Sequence, residues 1–269
     1  MANDVTLIGF GEAGSAFAQA GNWGQSARAF DIDPARRPAM DKSAVCACVS
    51  STSAVTASSL ILSLVTADQA LAAAQACADS LTPGAIFCDM NSIAPDTKRA
   101  AAKLIEAAGG RYVDVAVLAP VHPSHLAVPL LLAGAAAGDA KAALQALGFS
   151  NCRVVGSEVG RASAIKMIRS VMVKGIEALS GEMMLAAQAA GVADEVLASL
   201  DASEKAIGWQ ARAAYNLERM ETHGLRRAAE MEEVVKTLLS LDVEPVMSAG
   251  TVRRQRSAAG GSARRSKAA

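Results

Sequence analysis

The stretch VTLIGFGEAGSAFAQA, residues 5–20, decides how this chain folds. It opens with a short aliphatic run suited to a buried strand and closes in Ala-rich sequence suited to a helix. Between them stand Gly9, Phe10, Gly11, Glu12, Ala13 and Gly14. Gly9 permits a sharp turn, Gly11 lets the backbone approach a pyrophosphate, and Gly14 allows close packing of the helix. The helix N-terminus then offers free N–H groups and a positive dipole end to the phosphates. A second strand, residues 27–30, ends in Asp31, twenty residues after Gly11, where a carboxylate can accept bonds from ribose hydroxyls. The reading is a strand, turn and helix that bind a dinucleotide through Gly9, Phe10, Gly11, Glu12, Ala13, Gly14 and Asp31; the plain alternative is a tight turn without a ligand. The charge of Asp31 repels a ribose 2′-phosphate, which favours NAD over NADP. Arg28, Arg36 and Arg37 lie close enough in sequence to keep NADP possible.

Outward from this unit the pattern repeats. Residues 45–49, 60–65, 86–88 and 112–117 read as buried parallel strands, and residues 67–80 and 96–108 as helices between them. Alternation of this kind predicts an α/β fold, a Rossmann-type doubly wound sheet over residues 1–159. Ligands in such sheets sit beyond the carboxyl ends of the strands. That places Val65 and Thr66, the segment 89–95 with Asn91 and Ser92, and the segment 118–125 at the candidate site, although each also fits a polar turn.

The 269 residues are 52% apolar, enough for a large domain and a smaller one. Lys and Arg total 26, as do Asp and Glu, so overall charge favours neither nucleic acid nor an anionic membrane. Six of the basic residues fall in residues 253–269 without an acid, which reads as a basic flexible tail over 251–269. No secretory signal is expected, and the longest apolar stretch, 126–138, is interrupted by Pro129 and too short to span a bilayer. The expectation is a cytoplasmic protein. Five cysteines, an odd number without paired C-x-x-C spacing, read as reduced core residues, and the Cys46/Cys48 pair lacks a second ligand pair for a metal.

The second half turns on GRASAIKMIRSVMVKG, residues 160–175. At about 100° per residue, Ser163, Lys166, Ser170, Lys174 and Glu177 share a narrow sector opposite Ile165, Ile168, Met172, Ile176 and Leu179. Such a helix is expected to be buried on most sides, with its polar stripe facing either bulk water or a wet cleft. It should run to about Ala190 and stop at Gly191. Residues 193–200, 204–221 and 225–241 read as further helices, with Pro245 ending the packed region. The whole forms an all-α domain over 160–250, entered by a long interdomain helix.

Taken in order, these motifs resemble the β-hydroxyacid dehydrogenases, the family of 3-hydroxyisobutyrate and 6-phosphogluconate dehydrogenases. DMNSIAP (residues 89–95) stands in the place of that family's D-x-S-S/T-x-x-P, VDVAVLAPV (113–121) in the place of its substrate loop, and GRASAIKMIRS in the place of its catalytic-lysine helix. RMETHGLRRAAEMEEV, residues 219–234, resembles a branch with a distinctive helical second domain. The resemblance implies that Lys166 is catalytic, exchanging a proton with the substrate oxygen, with Ser170 in the position of the family's asparagine. It implies a substrate site at Ser92, Leu118, Ala119 and Pro120, where the family's Ser-Gly-Gly is lost. His122 is a candidate replacement contact. His223 and Arg226, near Arg219 and Arg227 on one helix, fit either an anion clamp or surface pairs with Glu218, Glu221 and Glu230. The implied activity is an NAD(P)-dependent oxidoreductase acting on CH-OH of a small anionic substrate. An imine reductase and a dinucleotide sensor without turnover are the alternatives, and a homodimer is expected.

Overall fold

The computed structural model describes residues 5–203 and 207–265. It contains two compact units that divide in sequence between Ser170 and Val171, eleven residues later than the boundary expected at 159/160. The first holds β1 (Val5–Ile8), α1 (Glu12–Ala20), β2 (Ala27–Phe30), α2 (Arg37–Lys42), β3 (Cys46–Ala47), α3 (Ser51–Val55), β4 (Leu60–Ser63), α4 (Ala70–Ala78), β5 (Ile86–Asp89), α5 (Pro95–Ala107), β6 (Arg111–Val117), β7 (Leu130–Ala133), α6 (Ala137–Ala146) and β8 (Cys152–Gly156). It also holds the start of α7 (Arg161–Ala189). The second holds the rest of α7, α8 (Ala193–Ser203), α9 (Trp209–Ser240) and α10 (Val246–Arg265).

The eight strands form one sheet in the order β3-β2-β1-β4-β5-β6-β7-β8. Pairing is parallel from β3 through β6, with Val5 opposite both Ala27 and Leu60. β1 and β4 are buried along their whole length because both faces of the sheet are covered. On one face Val5, Leu7, Leu62, Val113 and Val115 pack with Phe17 of α1 and Leu144 of α6. On the other, Ile8, Ile61 and Phe87 pack with Cys77 of α4 and Ile105 of α5. This two-sided burial is what continuous aliphatic strands are built for, and it fixes the loops at the carboxyl ends of β1, β2, β4, β5 and β6 on one edge of the sheet.

Two features of this unit depart from the expected pattern. Residues 45–49 give only the two-residue β3, since Val49 is 86% exposed and finds no place in the sheet. β7 runs antiparallel to β6, with Val117 opposite Leu130. The link between them contains only a single 3-10 turn, His125–Ala127. A parallel return needs a crossover of a dozen or more residues, usually a helix. α6 then supplies such a crossover, and β8 pairs parallel to β7.

Within the second unit, α7 ends as expected, with Gly191 at φ +70°. The helices expected at 204–221 and 225–241 are instead the single α9, except that residues 204–206 lie outside the described residues. Gly224 does not interrupt it. A side chain there would lie 2.4 Å from the Gln255 carbonyl oxygen, so this glycine serves the close approach of α10 to α9. Pro245 does not close the packed region; it immediately precedes α10, where a residue without an N–H is tolerated. Of the basic segment expected to be flexible, residues 251–265 are helical, with Val252 buried, and residues 266–269 lie outside the described residues. Finally, the apolar side of α7 is not buried in the single chain: Ile165, Ile168, Met172, Ile176 and Leu179 are 37–73% exposed.

Candidate active site

The first turn is built as its sequence requires. Gly9 has φ +97°, and a side chain there would meet the Leu64 backbone oxygen at 2.5 Å. Gly14 is buried, and a side chain there would lie 2.5 Å from the Gly9 oxygen. At Gly11, which caps α1, a side chain would meet nothing within 4 Å. This combination, strain relieved at the turn and a bare approach to the helix N-terminus, fits a pyrophosphate against α1. Phe10 contributes only backbone, because its ring is buried in the core. Its N–H donates to Asp31 Oδ2 at 2.6 Å, and Asp31 Oδ1 accepts from Asp33 N at 2.9 Å. These bonds hold the Asp31 carboxylate at the end of β2, on the wall of a 440 Å³ cavity that Gly9, Gly11, Val65 and Thr66 also line.

A second cavity of 500 Å³ shares the wall formed by Leu64, Val65 and Thr66. Glu12, Ala13, Asn91, Ser92, Ala119, Pro120 and Lys166 complete its predicted lining, with Met90, Val117 and Val121 supplying apolar surface. Lys166 Nζ donates to Ser92 Oγ at 2.5 Å. Residues 74 apart in sequence are thus brought together, one from the loop after β5 and one from the first turns of α7. Both supports are explicit. Pro95 opens α5 directly after the loop. The N-terminus of α7 is capped by Asp114, whose Oδ2 accepts from Gly160 N, Ser163 N and Ser163 Oγ at 3.1, 2.9 and 3.1 Å.

The remaining predicted residues are placed differently. Asn91 is 4% exposed and its amide is consumed internally, accepting from Val65 N at 2.7 Å and donating to Ser63 Oγ at 3.0 Å. It therefore ties the ends of β4 and β5 together beneath the cavity. Ser170 Oγ donates to the Lys166 carbonyl oxygen at 2.9 Å, so its hydroxyl serves its own helix. The Leu118 carbonyl accepts from Arg169 Nη1 at 3.3 Å, which anchors the loop after β6 to α7. His122 is exposed and meets His125 edge-on at 4.8 Å between ring centres. His223 and Arg226 are exposed on α9 in the second unit, where Arg219 stacks over the Tyr215 ring at 5.5 Å. Among the described residues no group of three or more His, Cys, Asp or Glu is arranged to hold a metal ion, and no helix is long and apolar enough to cross a membrane. Burial pushes the Cys77 and Cys88 thiols up to about 12.

Sequence reasoning missed Lys98, Asp89, Asp114 and Tyr112. All four are buried beneath this edge of the sheet. Asp89 opens the DMNSIAP segment at the end of an apolar strand and Asp114 lies inside another, and a charge within such a run is itself the signal, since buried charges need partners.

Residues 4–156, more than half of the chain, match the family described as the NAD binding domain of 6-phosphogluconate dehydrogenase, and residues 187–258 match a domain of unknown function, DUF1932. The "Uncharacterized 28.5 kDa protein in 7S RNA 5'region" of Methanothermus fervidus is 30% identical over 165 residues, 60% of this chain and 61% of that protein. This chain therefore spans about three-fifths of that relative's length. A conserved hypothetical protein from Sinorhizobium meliloti is 35% identical, covering 97% of this chain and 89% of its own, with a TM-score of 0.63. A conserved protein of unknown function, described as structurally similar to 3-hydroxyacid dehydrogenases, is 29% identical over 94% of this chain and 96% of its own, with a TM-score of 0.62. The imine reductase of Myxococcus stipitatus in complex with NADP+ shares the fold, with a TM-score of 0.78 at 19% identity over 96% of this chain and 94% of its own. A variant of it in complex with NAD+ gives 0.77 at 20% identity, with the same coverage. With its glycine turn, Asp31 and parallel sheet in place, the chain belongs to the family of NAD-binding domains of the 6-phosphogluconate dehydrogenase type and carries an NAD(P)-binding oxidoreductase-like fold.

Proposed function

We propose that this protein is an NAD-dependent oxidoreductase that interconverts an alcohol and a carbonyl on a small anionic molecule. The observation that carries the reading is the Lys166 ammonium, held by Ser92 in a cavity that shares a wall with the cavity of Asp31. Gly11, the N-terminus of α1, Asp31, Val65 and Thr66 would hold a nicotinamide dinucleotide, which would supply the hydride chemistry. The chain's own groups bind, orient and move the proton. Lys166 Nζ donates a proton to the substrate oxygen during carbonyl reduction and, when neutral, accepts one during oxidation. The Ser92 hydroxyl fixes the ammonium and offers its own hydrogen to the same oxygen. Lys166, with Arg169 one turn on, gives this edge the positive charge that an anionic substrate needs.

Support for NAD over NADP comes from the neighbours of Asp31. Arg28 donates to the Thr56 carbonyl at 2.9 Å, Arg36 pairs with Asp33 at 3.4 Å, and Arg37 pairs with Asp41 at 3.6 Å. Arg36 lines the same cavity as Asp31, but so does its partner Asp33, whose carboxylate adds to the repulsion of a 2′-phosphate.

A second reading, a dinucleotide sensor without turnover, draws support from Ser170, whose hydroxyl turns to its own helix. One experiment separates the two. NADH and NADPH affinities and the reduction of a panel of small keto and aldehyde acids, with cyclic imines included, are measured on the wild type and on Lys166→Ala. The dehydrogenase reading expects tighter NADH, turnover of an acid carbonyl, and at least a 100-fold loss in Lys166→Ala with NADH affinity kept. NADH binding without turnover of any compound establishes the sensor instead.

A further inference from the structure

Beneath the cavity lies a cluster to which the proposed reaction assigns no role. Lys98, on the first turn of α5, is 0% exposed. Its Nζ donates to the Asp89 carbonyl oxygen at 2.5 Å and to Asp89 Oδ1 at 2.9 Å, and it stands 3.5 Å from Asp114 Oδ1. Both carboxylates are fully buried. Among the described residues Asp114 Oδ1 has no hydrogen-bond donor, so the ammonium is the charge that faces it. A lone buried cation would be costly, and so would either carboxylate alone; together they are tolerable because each oxygen has a donor or a facing charge.

The two carboxylates lead in different directions. Asp89 Oδ1 accepts from Asn91 N at 2.9 Å, which sets the loop that carries Ser92, and Asp89 Oδ2 accepts from Tyr112 Oη at 2.6 Å. Asp114 Oδ2 caps the first turn of α7, three residues before Lys166. Burial, with the neighbouring Asp89 charge, raises the Tyr112 phenol and keeps it a donor. The arms leaving Lys98 therefore end at the two partners of the Ser92–Lys166 bond.

We propose that Lys98 is a positioning residue: its buried ammonium clamps Asp89 and Asp114 together and so sets the geometry of Lys166 against Ser92. Fully buried, it works through these neighbours. The proposal rests on Lys166 acting as proton donor, and its test contains a part that needs no substrate.

Lys98→Met alone would strand two carboxylates, so the test uses Lys98→Met/Asp114→Asn. This pair of changes keeps the net charge of the cluster, and the amide oxygen can still cap α7. Tyr112→Phe, a milder change at the Asp89 arm, is the second variant. The full-length protein is reductively methylated with 13C, and the titration of Lys166 is followed by NMR and assigned by its loss in Lys166→Ala. NADH affinity, kcat, KM and the pH profile are measured with any carbonyl that the wild type reduces. The expected result for the double variant is NADH affinity within about threefold of wild type, kcat lowered at least tenfold, and a Lys166 midpoint displaced by at least half a pH unit. Tyr112→Phe should move the last two readouts in the same direction and by less. A folded double variant with the wild-type Lys166 titration overturns the proposal. If the double variant fails to fold, an unmoved titration in Tyr112→Phe does the same. Absence of turnover in the wild type refutes the proposed activity, while the Lys166 titration still decides the role of Lys98.

Discussion

At Gly11 an added methyl group would meet nothing within 4 Å, whereas at Gly14 it would lie 2.5 Å from the Gly9 oxygen. The two glycines of one turn therefore do separable jobs, and alanine at each should reveal which. Gly11→Ala should leave the thermal midpoint within about 2 °C of wild type, since nothing is displaced, yet weaken NADH at least tenfold by standing where the pyrophosphate approaches. Gly14→Ala should destabilise the fold by about 1–3 kcal/mol through overpacking of α1 on the turn. Calorimetry with NADH titration checks both, and equal affinity in Gly11→Ala and wild type would remove the phosphate from this turn. Spacing marked Gly11 and Asp31, which line one cavity, and the family resemblance marked Ser92 and Lys166, which line the other. Lys98 was not legible, because a lysine in Ala-rich helical sequence reads as solvated; only the sheet places Asp89 and Asp114 beneath it.

Among the elements, α10 shows why the tail was misread. Small and basic residues without aliphatic periodicity look unfolded in isolation, but this helix is secured from another one. Glu182 of α7 accepts from Met247 N at 2.7 Å and from Ser248 N and Oγ at 2.9 and 2.6 Å, satisfying donors that the first turn leaves free. Its negative charge also sits at the positive end of the α10 dipole. Burial on its own would raise this carboxyl, but the bonds from Ser248 and Met247 outweigh it and hold the group below its ordinary value. A depressed folded pKa means that the stabilisation is fully present above the unfolded value of about 4.3 and is lost as pH falls through the lower folded value. Glu182→Ala should therefore lose about 1–2 kcal/mol at pH 7 and clearly less at pH 3. Urea unfolding followed by far-ultraviolet circular dichroism at the two pH values checks this. A deficit that persists undiminished at pH 3 would show that packing, not the charge, secures α10.

For the molecule as a whole, alternation of strands and helices revealed the parallel part of the sheet, since period and order are local properties. The antiparallel β7 was hidden, because direction depends on whether a link crosses the sheet, and the link after β6 has only one 3-10 turn. The second unit raises the corresponding question of cover. Its helices leave Val171, Leu185, Leu225 and Leu239 exposed by 76%, 60%, 69% and 58%. Single exposed aliphatic residues are ordinary, but α7 was patterned for burial on most sides and the single chain leaves its apolar side open. We propose that a second copy supplies the cover through the helical unit. A homodimer would sediment at roughly twice 27.4 kDa, and its thermal midpoint would rise with protein concentration, because association stabilises only the folded state. Val171→Arg should shift the equilibrium toward the monomer by at least tenfold, since burying an unpaired guanidinium at an interface is costly. Sedimentation velocity across micromolar concentrations reads both effects. A wild type that stays monomeric with a concentration-independent midpoint would mean that the exposed side of α7 serves another purpose.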